Sequence, residues 1–268
     1  MAKKKSNQLS KKLWVIKAGS QMICQGGPML IRSWMGQIAQ LKKKHGIDVI
    51  WVTSGAIATA ADRTGFKNLK SKTLSEKQAL SAIGQPMVME LYQLALQTQG
   101  QMAAQVLLTY DDLSNKERLK NFKNTIAQLL KWHITPIINE NDAVATQEIR
   151  FGDNDSLSAR VAVATKANKL VILTDVDGLY DKDPKKNKDA KLVSELKKIS
   201  AAHLLSLKKQ SDKKSIQSRG TGGMYSKILA AKIASEKGIE THLLKGDYPN
   251  VIIDIAHGKR FGTRVLKR

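Results

Sequence analysis

The chain is short of the residues that staple or anchor a protein. A single cysteine, Cys24, excludes an intramolecular disulfide framework. No apolar run approaches the ~20 residues that a membrane-spanning helix requires, so no transmembrane segment and no membrane partner are expected. The basic opening MAKKKSNQLSKK lacks the apolar core and small-residue cleavage site of a secretory signal. These absences together favour a cytoplasmic location. The five histidines, His45, His133, His203, His242 and His257, show no metal or triad spacing, and none is a candidate catalyst. Cys24 has no base partner and is expected to be a packed thiol. Acidic residues are scarce as well: 23 Asp and Glu face 45 Lys and Arg, a formal charge of +22. Such an excess permits binding to nucleic acid. The most basic stretch, Lys182 to Lys214, carries eleven lysines against four acids but few aromatics on which bases could stack. A solvated basic surface is therefore the preferred interpretation, and a nucleic-acid partner is not expected. Neither GxxxxGK[ST] nor GxGxxG occurs, which removes the two commonest nucleotide fingerprints.

What is present is an alternation of short apolar runs with helical patterns. Leu13 to Ile16, Val49 to Val52, Gln105 to Leu108, Ile134 to Ile138, Leu170 to Leu173 and Thr241 to Leu244 read as strands. Between them, Ile31, Trp34, Ile38 and Leu41 follow helical spacing after Pro28, a first-turn proline, and that helix ends near Gly46. Further helices are expected over Ser75 to Gln97, Asn115 to Trp132, Asp155 to Ala167, Met224 to Lys237 and Val251 to Ala256. Continuous apolar strands alternating with helices imply a mainly parallel sheet covered on both faces. Ligands in such sheets sit at the carboxyl ends of the strands. Asp181 to Ser218, polar and weakly periodic, is expected to be the most mobile surface.

The chemistry-bearing clusters fall at those strand ends. Lys17-Ala18-Gly19-Ser20 and Thr53-Ser54-Gly55-Ala56 each follow a strand. Gly220-Thr221-Gly222-Gly223-Met224-Tyr225-Ser226-Lys227 opens a helix with a lysine in its first turn. Backbone amides at a helix start and nearby lysines attract anions. Any one of these loops could be an ordinary tight turn; three at comparable positions favour a phosphate site. Asn139-Glu140-Asn141-Asp142 and Phe151-Gly152-Asp153-Asn154-Asp155 are either turn and cap chemistry or a grip on an amino group and a carboxylate. A metal site there has no cysteine or histidine ligand. Thr174-Asp175 and Asp177-Gly178-Leu179-Tyr180 close the next strand and suit either nucleotide contacts or a plain turn.

In order, KAGS, TSGAIA, QALSAIGQ, QVLLTYDD, NFKNTI, PIINENDAVATQEIRFGDND, LTDVDGLYDKDP and GTGGMYSK resemble the amino-acid kinase superfamily, and more narrowly its glutamate 5-kinases. The resemblance runs from about Leu13 to Gly262. It implies a three-layer α/β/α sandwich with a mainly parallel central sheet. It also implies transfer of phosphate from ATP to the side-chain carboxylate of L-glutamate, giving L-glutamyl 5-phosphate, the first step of proline biosynthesis. On that resemblance Lys17, Asp155 and Lys227 are catalytic, the lysines neutralising the moving phosphoryl group and Asp155 orienting both. Ser54, Gly55, Asn139, Asp142 and Asn154 would bind glutamate. Lys17, Gly19, Thr174, Asp175, Thr221, Gly222, Gly223, Met224, Tyr225, Ser226 and Lys227 would bind ATP. Mg²⁺ would ride mainly on the ATP phosphates, with no protein metal ligand assigned. The expected organisation is a basic tail at 1–12 and a kinase domain at 13–268 without the RNA-binding-like PUA domain many members carry. A homo-oligomer and hand-off of product to glutamyl phosphate reductase are further expectations. Tyr110-Asp111-Asp112 departs from the Arg-Asp-Asp usual in the family, and Thr59-Ala60-Ala61 from its glycine-rich continuation. Kinases of the superfamily that act on aspartate, N-acetylglutamate, carbamate or UMP are the nearest alternatives, and a non-catalytic nucleic-acid binder that has kept the fold is the more distant one.

Overall fold

A computed structural model describes residues 12–66, 72–145, 154–184, 187–214 and 223–268, with backbone alone for 209–214. In chain order its elements are β1 (Lys12–Ala18), α1 (Ser20–His45), β2 (Ile47–Val52), α2 (Ala56–Thr64), α3 (Leu74–Gln97), β3 (Ala103–Leu108), α4 (Tyr110–Ser114), α5 (Lys116–Lys131) and β4 (Thr135–Glu140). The second half supplies α6 (Asn154–Thr165), β5 (Lys169–Thr174), β6 (Glu195–Leu196), α7 (Ala201–Lys214), α8 (Met224–Ser235), β7 (Glu240–Lys245), α9 (Val251–Ala256) and β8 (Thr263–Val265). Eight strands form one sheet in the order β3-β4-β2-β1-β5-β7-β8-β6. All neighbours are parallel except β7 and β8, which run antiparallel.

Burial explains the apolar strands. Every residue of β2 and β4 is buried, as a strand covered on both faces demands. One core lies between the sheet and α1, α3 and α9, where Trp34, Trp51 and Tyr92 stack in a row with ring centroids 5.5 and 5.9 Å apart. The other lies beneath α5, α6 and α8 and contains Phe122, Ile126, Leu157 and Ile228. The three-layer α/β/α arrangement expected from the motifs is the one observed.

Local chemistry sets the helix ends. Thr73 and Glu76 form a reciprocal capping box on α3, with Thr73 N–H donating to Glu76 Oε2 at 2.7 Å and Glu76 N–H to Thr73 Oγ1 at 3.3 Å. Asn115 caps α5 through Glu117 and Arg118 N–H. The first helix begins earlier than its proline suggests. It starts at Ser20, breaks at Gly27 (φ 55°, ψ −155°) and resumes at Pro28. Proline cannot supply the helical N–H, and only glycine takes the left-handed turn cheaply, so the Gly-Pro pair divides one helix into two segments. The early start turns the Lys17 strand directly into a helix N-terminus. Cys24, expected to be packed, lies exposed on that first segment, whose inward positions are Met22 and Ile23. The stretch expected to be the most mobile contains β6 and α7 among its described residues.

Candidate active site

The strand ends of β1, β2, β4 and β5 face one side of the sheet, and the N-termini of α1, α2, α6 and α8 meet them there. Lys17 stands near the end of β1 and is 4% exposed. Asp155, in the first turn of α6, is fully buried, and Lys227, in the first turn of α8, is 8% exposed. The aspartate joins the two lysines. Lys17 Nζ lies 2.5 Å from Oδ1 and Lys227 Nζ 3.2 Å from Oδ2, while Ser226 Oγ donates to Oδ2 at 2.9 Å. Two buried ammonium groups against one carboxylate leave the cluster net positive. Helix starts surrounding it add to that sign, because their free N–H groups carry partial positive charge. Such a site accepts a polyanion. Gly19 keeps it open: a Cβ there would stand 3.6 Å from Lys17 Nζ, and any longer side chain would crowd the ammonium.

A second group of polar side chains adjoins on the β2–β4 side. Ser54 Oγ donates to Ala18 O at 3.0 Å, tying the turn after β2 to the end of β1. Gly55 has φ 92°, a left-handed conformation that favours glycine, and it begins α2. Asn154 Nδ2 donates to Thr53 O at 2.6 Å and to Asn139 Oδ1 at 2.8 Å, and Asn139 Nδ2 donates in turn to Gln85 Oε1 at 2.6 Å. This relay fixes the amide orientations of both asparagines. Asp142 accepts a hydrogen bond from Ser81 Oγ at 3.4 Å. It lines a cleft of about 220 Å³ with Ser81, Gln85, Glu140 and Asn141. Burial pushes the Asp142 carboxyl up to about 6 against the opposing bond from Ser81. Glu140 rises to about 7, first from burial and then from the Asp142 charge. Two such carboxyls side by side suit a cationic group.

Motif order placed Lys17, Asp155 and Lys227 in one cluster, and the structure brings them into direct contact. Asn139 and Asn154 meet as well. Asp142 instead joins Ser81, and it lines one cleft with Gln85, the partner of Asn139. Thr174 ends β5, beside β1, and Asp175 follows it, with Thr174 Oγ1 donating to Asp175 Oδ1 at 3.0 Å. Gly223 caps α8, while the side chains of Met224 and Tyr225 are half-buried against the second core. Thr221 and Gly222 lie outside the described residues. Ser81 and Gln85 received no role from the sequence, and Glu140 figured only as a member of the Asn139–Asp142 cluster. Ser81 and Gln85 stand four residues apart on one face of α3, within the quoted QALSAIGQ segment, and that spacing was the available signal. Gly84 explains why this helix comes so close: a Cβ there would lie 1.9 Å from Ala56 O, so α3 touches the backbone of α2.

A parallel sandwich with a buried Lys-Asp-Lys cluster at its strand ends is an arrangement suited to holding a polyanion such as a phosphate chain. Residues 12–245 match the model of the amino acid kinase family. Similar proteins include the glutamate 5-kinase of Thermoanaerobacter sp. (strain X514), 42% identical over 256 residues, which cover 94% of this chain and 67% of that relative. The glutamate 5-kinases of Prochlorococcus marinus and Haemophilus influenzae (strain PittGG) are each 41% identical, over 94% and 96% of this chain and 68% and 69% of their own lengths. The chain belongs to the amino acid kinase family and, within it, groups with the glutamate 5-kinases. It spans about two thirds of the length of the curated relatives it matches. Among the described residues no helix is long and apolar enough to cross a membrane.

Proposed function

We propose that the chain transfers the γ-phosphoryl group of ATP to the side-chain carboxylate of L-glutamate, giving ADP and L-glutamyl 5-phosphate, the first step of proline biosynthesis. The observation that carries the mechanism is the Lys17–Asp155–Lys227 contact. A carboxylate oxygen attacks the γ-phosphorus in line, the bond to the β–γ bridging oxygen breaks, and its electron pair leaves with ADP. The attacking group is already an anion, so no base is needed. Charge stabilisation and alignment remain as the protein's tasks. Lys17 and Lys227 neutralise the transferring group, and Asp155 holds them in place. Ser54, Gly55, Asn139 and Asn154 receive the glutamate, with Asp142 taking its ammonium group. Thr174, Asp175 and the 221–227 segment receive the nucleotide.

Mg²⁺ fits this donor set as an ion carried by the nucleotide. Asp155 is engaged by two ammonium groups and a hydroxyl, and no cluster of three His, Cys, Asp or Glu side chains occurs among the described residues. Bound in that way, it would supply positive charge to the phosphate oxygens.

Residues 13–268 act as one kinase domain in the cytoplasm, where ATP is supplied. Ile83, Leu94 and Met102, exposed on α3 and just ahead of the edge strand β3, support a homo-oligomer. The product is an acyl phosphate, a reactive mixed anhydride, which supports direct hand-off to glutamyl phosphate reductase. An ADP-release assay across glutamate, aspartate, N-acetylglutamate and UMP tests the acceptor. Turnover with glutamate alone is expected; turnover with another acceptor and none with glutamate overturns the proposal.

A further inference from the structure

The loop after β5 is held at its two ends by the core and at its middle by a residue from a different part of the chain. Thr174 is buried at the strand end and Leu179 is buried in the second core. Leu179 N–H donates to Thr263 Oγ1 at 2.8 Å, and Gly178 packs so closely on Thr263 that a Cβ would fall 2.6 Å from that hydroxyl. Between them Asp177 accepts one phenol on each carboxylate oxygen: Tyr248 Oη donates to Oδ1 at 2.5 Å and Tyr180 Oη to Oδ2 at 2.8 Å. These two bonds, Tyr248 first, hold the Asp177 carboxyl below its ordinary range. Tyr248 lies in the turn after β7, past Gly246, whose N–H donates to Thr174 O at 2.9 Å.

Position relates this latch to the nucleotide. Strand β1 carries Lys17, β5 is its neighbour, and β7 is the next strand, with Thr174 opposite Lys245. Strands in a sheet lie about 4.8 Å apart, so the end of β7 stands about 10 Å from the end of β1. The residues proposed to hold the acceptor lie on the β2–β4 side of β1, which leaves the β5–β7 side for the nucleoside of a nucleotide whose phosphates rest on Lys17 and Lys227. Lys245 Nζ stands there, 5.2 Å from the centroid of the Tyr248 ring and 3.6 Å from Asp247 Oδ2. Tyr248 itself is 44% exposed, too open for its ring to serve the core.

We infer that Tyr248 is a positioning residue for the nucleoside end of ATP, acting through Asp177 to fix the loop that begins at Asp175. The inference rests on the proposed kinase activity but not on the identity of the acceptor. Its test compares ADP with inorganic tripolyphosphate as ligands of the whole chain, by calorimetry, in wild type, Tyr248→Phe, Asp177→Ala and the double variant. Tyr248→Phe is expected to weaken ADP about fivefold, the value of one ordinary hydrogen bond, and to leave tripolyphosphate unchanged. KM for ATP rises in step while kcat and KM for glutamate hold. The double variant loses no more than Asp177→Ala alone, because both act through one contact. Unchanged ADP affinity in both single variants, or equal loss for ADP and tripolyphosphate, overturns the inference. A wild-type chain that binds ADP but does not phosphorylate glutamate would sink the acceptor assignment alone.

Discussion

Asp155→Asn keeps the size and shape of the side chain and deletes one negative charge from between two buried lysines. In the wild-type chain that charge lies 2.5 and 3.2 Å from the two ammonium nitrogens, with Asp155 fully buried. Removing one partner of a buried ion pair costs about 3–5 kcal/mol, because the remaining charge is left without compensation. For a chain of this size that lowers Tm by about 10 °C. Catalysis suffers separately. With their common anchor gone, the lysines no longer hold fixed positions around the transferring phosphoryl group. Loss of one preorganised charge-stabilising donor typically reduces kcat by about 10²–10³, and a larger fall is expected where two are released together. Nucleotide affinity moves the other way, since ADP phosphates replace the missing negative charge. Binding of ADP is therefore expected to be retained or tightened, and saturating ADP recovers part of the lost Tm. Coupled ADP release gives kcat, calorimetry gives the ADP affinity, and a thermal melt with and without ADP completes the set. A variant with kcat within tenfold of wild type, or one that loses ADP affinity in proportion to kcat, refutes the role assigned to Asp155.

Acidity offers another handle. Asp142 must be ionised to hold an ammonium group, so KM for glutamate is expected to climb as pH falls below about 6, and Asp142→Asn raises KM and flattens that dependence. Stability runs in the opposite sense. Glu140 and Asp142 have folded-state values above their unfolded ones, so their contribution is fully present below about pH 4 and is lost as pH rises through about 6 and 7. In Glu140→Gln, the stability lost between pH 5 and 7 in denaturant titrations shrinks; an identical slope in wild type and variant contradicts the assignment. Gly84→Ala forces α3 off the Ala56 carbonyl, and the whole TSGA turn moves with α2. Its expected signature is a lower Tm with a raised KM for glutamate and unchanged ADP affinity. Equal damage to both substrates would argue against so local an effect.

The alternation of strands and helices was legible because buried parallel strands read as continuous apolar runs, as in β2 and β4. Strands β6 and β8 were not, being two and three residues long with no pattern to detect. Helix α2 escaped because Ala56, Ile57 and Ala58 follow the glycine turn without polar spacing, and it is contact with α3 at Gly84 that shapes its surroundings. In α1 the Pro28 signal was genuine but marked the second segment, since the break at Gly27 permits a helix on either side. At the site, charged residues beside glycine turns announced themselves, and motif order joined them. Gln85 and Ser81 did not, because a glutamine on a helix carries no chemistry until its partner is known. Asn139, from a strand 54 positions later, is that partner. Tyr248 and Asp177 are separated by 71 positions and share no motif.

The order in which the sheet is threaded bears on how the molecule comes to exist. The central strand β1 is the first to be made, yet one of its edges stays open until β5 pairs with it through Trp14–Lys169 and the positions beyond. Trp34 waits longer still, since its indole N–H donates to Gly246 O, 212 residues away. Contacts this distant in sequence slow the search for the native topology, because long loops must close before they are rewarded. A nascent chain released before α8 would bury Lys17 without its full set of partners. The Lys17–Asp155–Lys227 cluster is thus among the last parts to mature, completed only when α8 follows the strand that closes the sheet around β1.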